Sequence, residues 1–256
     1  MVLAASYFNL PTLWAALKDN IIFFLQFILI IALIALVALF AQLLIRKQNE
    51  KKALASGQTV EKKILSSRMI AVTGVLAAIA GVLMLFELPL FFAPSFYKID
   101  LSELPVLICS FAYGPVAGVL CEAVKILVKL VIKGTSTAFV GELANFVVGC
   151  ALIVPTSIVY HIKKNRKTAL IGCIVGTAFI TVVGTLFNAV YLLPKFAELY
   201  GMDISVLIGM GTEVNSHVKD IPTFVILCVA PLNILKGTVV SVITMFIYKP
   251  LRHVIK

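Results

Sequence analysis

Apolar residues run through this chain in blocks of about 20 residues, separated by short polar stretches, which is the pattern of helices that cross a bilayer. The first block is Ile21 to Ile45, followed by the basic stretch "RKQNEKKALASGQTVEKKILSSR", residues 46–68. A cleaved leader has a shorter apolar core behind a basic start. Here the run is long and the basic residues follow it, so it reads as a retained anchor helix. The second block spans Met69 to about Leu88, where Pro89 and Pro94 in "ELPLFFAPSFYKID" stop the helix and open a loop. A short run, Leu101 to Tyr113, is divided by Gly114 and Pro115 from a span reaching about Ile132. Ala138–Tyr160, Ala169–Leu193 and Ile221–Tyr248 complete seven predicted segments, with no internal repeat.

Composition agrees: the 256 residues are 61% hydrophobic and 13% charged, about half the charge of an ordinary soluble domain. The prediction is an all-α, multi-pass protein of the cell membrane. A net charge of +10 invites a nucleic-acid reading until the charges are located. If the seven segments alternate, fourteen of the twenty-two lysines and arginines fall on one side, in residues 46–68, "HIKKNRK" and the tail "KPLRHVIK". By the positive-inside rule that side, with the C-terminus, is cytoplasmic and the N-terminus is extracellular. The basic excess is therefore a topology signal that also suits contact with anionic lipid, and nucleic acid drops out. The five cysteines, at 109, 121, 150, 173 and 228, lie in apolar segments without a CxxC pair and read as small buried hydrophobes.

Polar residues inside the spans carry the chemistry. Glu122, Lys125 and Lys129 share one helical face, which suggests a Glu122–Lys125 pair with Lys129 snorkelling outward. Glu142 and Asn145 in "GELANF" share another face, and Asn188 stands alone in "GTLFNAVYLLP"; each is either helix–helix glue or ligand contact. Within "APLNILKG", Asn233 and Lys236 are three apart, just past Pro231. A lysine at mid-membrane depth costs about 2.5–3.5 kcal/mol on insertion scales, so it marks a functional site by default. Two donors beside a carbonyl freed by the proline suit an uncharged molecule bearing hydroxyls or an imide. The other reading pairs Lys236 with Glu122 or Glu142. Asp100 reads as an N-cap with Glu103 as its N3 partner.

No GxxxxGK[ST], HExxH or GxSxG occurs, and the three histidines lie in loops or the tail. The chain has neither a nucleotide cradle of its own nor the usual reacting groups of an intramembrane hydrolase, so it does not read as an enzyme.

"YKIDLSELPVLICSFAYGPVAGVLCEAVK", "GTSTAFVGELANFVVG", "GTLFNAVYLLP" and "APLNILKG" occur in the order of, and resemble, the riboflavin-specific S-components of energy-coupling-factor (ECF) vitamin transporters. The resemblance covers about Ser67 to Lys256. It implies a six-helix membrane-embedded binding core over residues 69–256, here with one extra N-terminal transmembrane helix within residues 1–45 and a basic cytoplasmic linker over 46–68. It also implies riboflavin or FMN as transported ligand with no cofactor or metal, and partnership with a transmembrane coupling protein and two cytoplasmic ATPases. Asn188, Asn233 and Lys236 resemble the polar flavin contacts. Asp100 and Leu101 are placed at the pocket wall and Phe96 and Tyr97 in the covering loop, with Glu142 as a further candidate. Gly74, Ala77, Ala78 and Gly81 resemble the face that packs on the coupling protein. Lys98 or Lys195 could meet a phosphate at the mouth. The segment Lys195–Asp220 is longer than the family's usual loop. An autonomous gradient-driven carrier, an S-component for another vitamin, and an assembly subunit without a ligand are the competing readings.

Overall fold

In the computed structural model of the protein, residues 21–55, 66–135, 137 and 139–255 are described, with side chains as far as 247. The stretch before Ile21 and residues 56–65 of the expected linker lie outside the described residues.

Helix α1, Ile21–Ala55, runs ten residues beyond the apolar block. The continuation "RKQNEKKALA" lacks Gly and Pro, is rich in strong helix formers and holds an Arg46–Glu50 pair at 2.9 Å, so nothing stops the helix at residue 45. Helix α2, Ser67–Leu83, starts where the Ser66 hydroxyl accepts the Met69 N–H. It ends short of Leu88 because the chain turns into a two-stranded antiparallel hairpin. Leu88–Pro89 (β1) pairs with Lys98–Ile99 (β2), and the loop between them carries Phe91, Phe92, Phe96 and Tyr97.

Helix α3, Glu103–Tyr113, is about 16 Å long, half a bilayer core. It ends at Gly114, whose φ of +100° excludes most side chains, and Pro115 opens α4, Pro115–Lys133. Helix α5 is Val140–His161 and α6 is Arg166–Phe187. A π-helical turn, Asn188–Leu192, joins α6 to α7, Leu193–Tyr200. Then come α8, Ile204–Val214, and α9, Ile221–Phe224, a second π-turn, Val225–Val229, and α10, Ala230–Ile255.

Both π-turns stand in the same relation to a proline. In the first, Leu193 N–H reaches back five residues to the Asn188 carbonyl just before Pro194. In the second, Ala230 N–H reaches the Val225 carbonyl just before Pro231. Proline cannot donate to the carbonyl four residues earlier, and the wider turn takes up the mismatch. The bend read from Pro231 is therefore a widened turn placed one residue ahead of it.

The core is built from α2, α4, α5, α6 and α10 packed around the short α3, which meets α2, α4, α5 and α10. Among the described helices, four are long and apolar enough to cross a bilayer: α1, α5, α6 with α7, and α9 with α10. Helix α4 carries Glu122, Lys125 and Lys129 inside the protein instead. Helix α1 lies outside the core against α4 and α5. Near its far end Lys52 donates to the Ile162 carbonyl at 3.3 Å, which brings its basic end to the basic α5–α6 turn, the same grouping that the charge pattern requires. The expected loop Lys195–Asp220 is folded as the end of α7 and as α8, started by Asp203 accepting from Ser205 N–H, and its apolar residues pack with Phe92, Phe96 and Tyr97 of the hairpin. All five cysteines are buried and free.

Candidate functional site

A cavity of about 130 Å³ lies where the hairpin, the N-terminal half of α5, the first π-turn and the start of α10 converge. Phe96, Tyr97 and Lys98 come from the hairpin, and Gly141, Ala144, Asn145 and Val148 from one face of α5. Asn188, Leu192, Leu193 and Phe196 come from the first bent helix, and Val229, Leu232, Asn233 and Lys236 from the second. Aliphatic and aromatic surface dominates, with a few converging polar groups, as in small-molecule sites.

The two asparagines meet at Gly184. Asn188 Nδ2 donates to the Gly184 carbonyl at 2.7 Å, and Asn188 Oδ1 accepts from the Tyr97 hydroxyl at 2.6 Å. The Asn233 amide occupies the space that a Cβ on Gly184 would take, 2.6 Å from that position. Asn233 is 2% exposed, and its Nδ2 is a buried donor with no hydrogen-bond partner among the described residues. Such a donor costs about 1–3 kcal/mol unless something accepts from it.

Lys236, 4% exposed, forms an ion pair with Glu103 Oε1 at 2.9 Å and approaches Asp100 Oδ2 at 3.5 Å. Glu103 also accepts from Lys125 Nζ at 3.2 Å, and Lys125 contacts Glu122 at 2.5 Å. A buried chain of three carboxylates and two ammonium groups thus runs from the cavity wall into the protein. The Glu122–Lys125 pair is as read from the sequence, but the partner of Lys236 is neither Glu122 nor Glu142. Glu103 takes that place because α3 enters the core directly beneath α10.

Three sequence readings change. Lys129 does not snorkel outward: it is buried and pairs with Glu142, whose other oxygen accepts from Thr135 and Thr137 at 2.9 and 3.2 Å. Asp100 is not an N-cap with Glu103 at N3. Its carboxylate accepts the Ser102 N–H at 2.7 Å, a local turn, while Glu103 points into the lysines. Asn145 does not glue helices, since its amide donates back to Gly141 of its own helix, at 2.9 Å.

Of the candidate binding residues, Asn188, Asn233, Lys236, Phe96 and Tyr97 line the cavity. Asp100 lies behind Lys236, Glu142 faces Lys129, and Leu101 points away, 38% exposed. Lys98 is a wall residue held by Glu87, whereas Lys195 pairs with Glu198. Of the α5 wall, at spacing i, i+3, i+4, i+7, only Asn145 was among the sequence candidates; Gly141, Ala144 and Val148 were missed, although the period is visible in "GELANFVV". Of the four small residues of α2, Ala77 and Gly81 are buried inside this subunit, with Gly81 against Val128 of α4, while Gly74 and Ala78 face outward.

A larger groove of about 750 Å³ runs between α6 and α10, lined by residues such as Leu170, Ile174, Thr177 and Phe246. It is almost wholly apolar and lies on the outer flank of α6 and α10. The smaller cavity holds the converging polar groups and is the candidate site.

The model of the family "ECF transporter, substrate-specific component" matches residues 68–248. The chain belongs to this family. It is a multi-pass membrane transport subunit and not an enzyme. This S-component is 31% identical over 187 residues to the riboflavin transporter FmnP of Bacillus subtilis (strain 168), covering 72% of this chain and 92% of that protein. It is 30% identical to the riboflavin transporter RibU of Staphylococcus aureus (strain TCH60), over 75% and 93%. A solved structure described as the S component of a bacterial ECF transporter superposes with a TM-score of 0.57 at 28% identity, covering 74% of this chain and 98% of that one. The family match begins at residue 68, so α1 lies outside it.

Proposed function

We propose that this S-component captures riboflavin on the outer side of the membrane and hands it to ATP-driven partners for uptake. The observation that carries the reading is the buried Asn233 Nδ2, a donor with no hydrogen-bond partner among the described residues, on the wall of a mostly apolar cavity that also presents Lys236 and Asn188. An isoalloxazine ring is flat and apolar with a polar imide edge, and its ribityl chain carries hydroxyls. Asn233 and Lys236 supply donors to that edge or chain, and Val148, Leu192, Val229 and Leu232 bury the ring. Because Glu103 and Asp100 neutralise Lys236, the site suits a ligand without a charge of its own. The names of the relatives, riboflavin transporters at 31% and 30% identity, support the same ligand. FMN would bring a phosphate to Lys98, which already pairs with Glu87 at 3.1 Å.

At about 130 Å³ the cavity is below the ~300–1,000 Å³ of sites for drug-sized ligands. Phe96 and Tyr97 form its hairpin wall, and withdrawal of the hairpin is the movement that would make room for the ring. The basic ends of α1 and of the α5–α6 turn lie together. By the positive-inside rule they are cytoplasmic and the hairpin faces outward. The outward Gly74–Ala78 face of α2 is the proposed contact for the coupling protein.

Titration of the purified protein with riboflavin, FMN and an unrelated vitamin, followed by flavin fluorescence, tests the reading. Saturable quenching by riboflavin is expected. Absence of quenching by either flavin with folded protein contradicts it, and uptake into proteoliposomes without any ATPase favours the autonomous carrier.

A further inference from the structure

Helix α1 has no counterpart in the matched family region, yet its first turns reach the back of the site. Only a few residues of α1 are buried; Phe23, 1% exposed, is one of them. It packs with Val140, Leu143, Val147 and Leu192 and touches the cluster that includes Phe196. Val140, Leu192 and Phe196 line the cavity, so the apolar end of α1 forms a second layer behind that wall.

Two contacts carry this further. The Tyr191 hydroxyl donates to Gln26 Oε1 at 2.7 Å. Tyr191 belongs to the π-turn that begins at Asn188, so a side chain of α1 anchors the turn that presents the site amide. On the other side, the Phe24 ring meets Phe139 edge-on at 5.2 Å. Phe139 has φ +68°, a left-handed conformation uncommon for a bulky side chain, and it starts α5 between the wall residues Thr137 and Val140. Conformations of this kind persist only where surrounding packing over-determines them. The π-turn and the left-handed start of α5 are irregular backbone on two sides of the cavity, and α1 touches both.

We propose that α1 is a positioning element for the ligand site, with Gln26 and Phe24 as the positioning residues, and that it slows ligand release by holding the Asn188 π-turn and the start of α5 in place. The ligand in this proposal rests on the riboflavin reading; the positioning of the backbone does not.

Full-length protein in nanodiscs is compared as wild type, Gln26→Leu, Gln26→Glu, Phe24→Ala and the lipid-facing control Leu29→Ala, whose residue is 68% exposed. Riboflavin association and release are followed by stopped-flow fluorescence, and hydrogen exchange is measured over residues 137–141 and 187–192 without ligand. Gln26→Leu keeps the apolar helix intact and removes the amide that accepts from Tyr191. It is expected to speed release about three- to tenfold, the worth of one hydrogen bond, with little change in association rate. Gln26→Glu retains an acceptor and should stay near wild type; Phe24→Ala should speed exchange at residues 137–141. Release and exchange rates in Gln26→Leu equal to wild type, or matched by Leu29→Ala, would overturn the proposal. If wild type binds no riboflavin, the ligand reading fails on that result alone, and the exchange rates still decide whether α1 holds these segments.

Discussion

Lys236 Nζ lies 2.9 Å from Glu103 Oε1, joining the first full turns of α10 to the N-terminus of α3. Glu103 is also the acceptor for Lys125, so one fully buried carboxylate serves two ammonium groups. Glu103→Gln removes the acceptor that the two lysines share and leaves each with one carboxylate, Asp100 for Lys236 and Glu122 for Lys125; loosening two buried pairs at once in this way costs about 3–5 kcal/mol. Lys236→Met leaves Glu103 paired with Lys125 and Asp100 still accepting from the Ser102 N–H, and should destabilise less. Thermal unfolding in detergent should therefore rank Glu103→Gln well below Lys236→Met; the reverse order would show that Lys236 is the hub.

Tyr97 competes with any ligand for Asn188. Its hydroxyl occupies Asn188 Oδ1 at 2.6 Å, and it stands on the hairpin that forms one wall of the cavity. Tyr97→Phe removes the bond and keeps the ring against Phe96 and Phe224. Stopped-flow binding is expected to show flavin association faster by about two- to tenfold. A slower association would mean that Tyr97 recruits the ligand and does not exclude it.

Gly184 is where both asparagines meet. A Cβ there would come 2.6 Å from Asn233 Nδ2 and 3.4 Å from a methyl of Val148. Gly184→Ala should therefore push the Asn233 amide out of place and weaken flavin binding at least tenfold, roughly the loss of one well-placed donor, while the protein still inserts. Unchanged affinity would remove Asn233 from the list of ligand contacts.

The apolar blocks made the core helices legible, since a run of about 20 apolar residues is stable only across a bilayer or in a core. Asn188, Asn233 and Lys236 were legible for a related reason: polar groups in such runs are costly and mark sites. Glu103 was not. It is 133 positions from Lys236, and periodicity relates only residues on one helix, so Glu103 read as a local capping partner of Asp100. Lys129 failed likewise, because its position near the end of α4 permits snorkelling and only the approach of α5 supplies Glu142. The length of α1 beyond Ile45 was hidden by its charge, although lysine, glutamine and glutamate are good helix formers. The π-turns leave no periodic signal; their trace is the proline that follows each.

Glu87 pins the hairpin to α4, accepting from Lys133 at 2.8 Å and from Lys98 at 3.1 Å. Partial burial opposes its ionisation, but the two lysines outweigh it and hold the carboxyl below the usual glutamate range. A depressed folded-state value means that this anchoring is complete above the ordinary glutamate pKa of about 4.3 and is lost as pH falls through the lower value. Glu87→Gln at neutral pH should mimic acidification. Both should speed flavin release, by no more than about fivefold given the half-exposed lysines. A release rate that does not respond to Glu87→Gln would detach this ion-pair group from closure.

The central claim is that the small polar-lined cavity, and not the larger apolar groove, binds the flavin. Riboflavin titration of wild type, Asn233→Leu, Lys236→Met and the groove variant Leu170→Ala, by fluorescence quenching in one detergent, tests it most directly. The account predicts affinity losses of about ten- to a hundredfold for Lys236→Met and about tenfold for Asn233→Leu, with Leu170→Ala at the wild-type value. Equal affinities for wild type and both cavity variants, or a loss confined to Leu170→Ala, would contradict it.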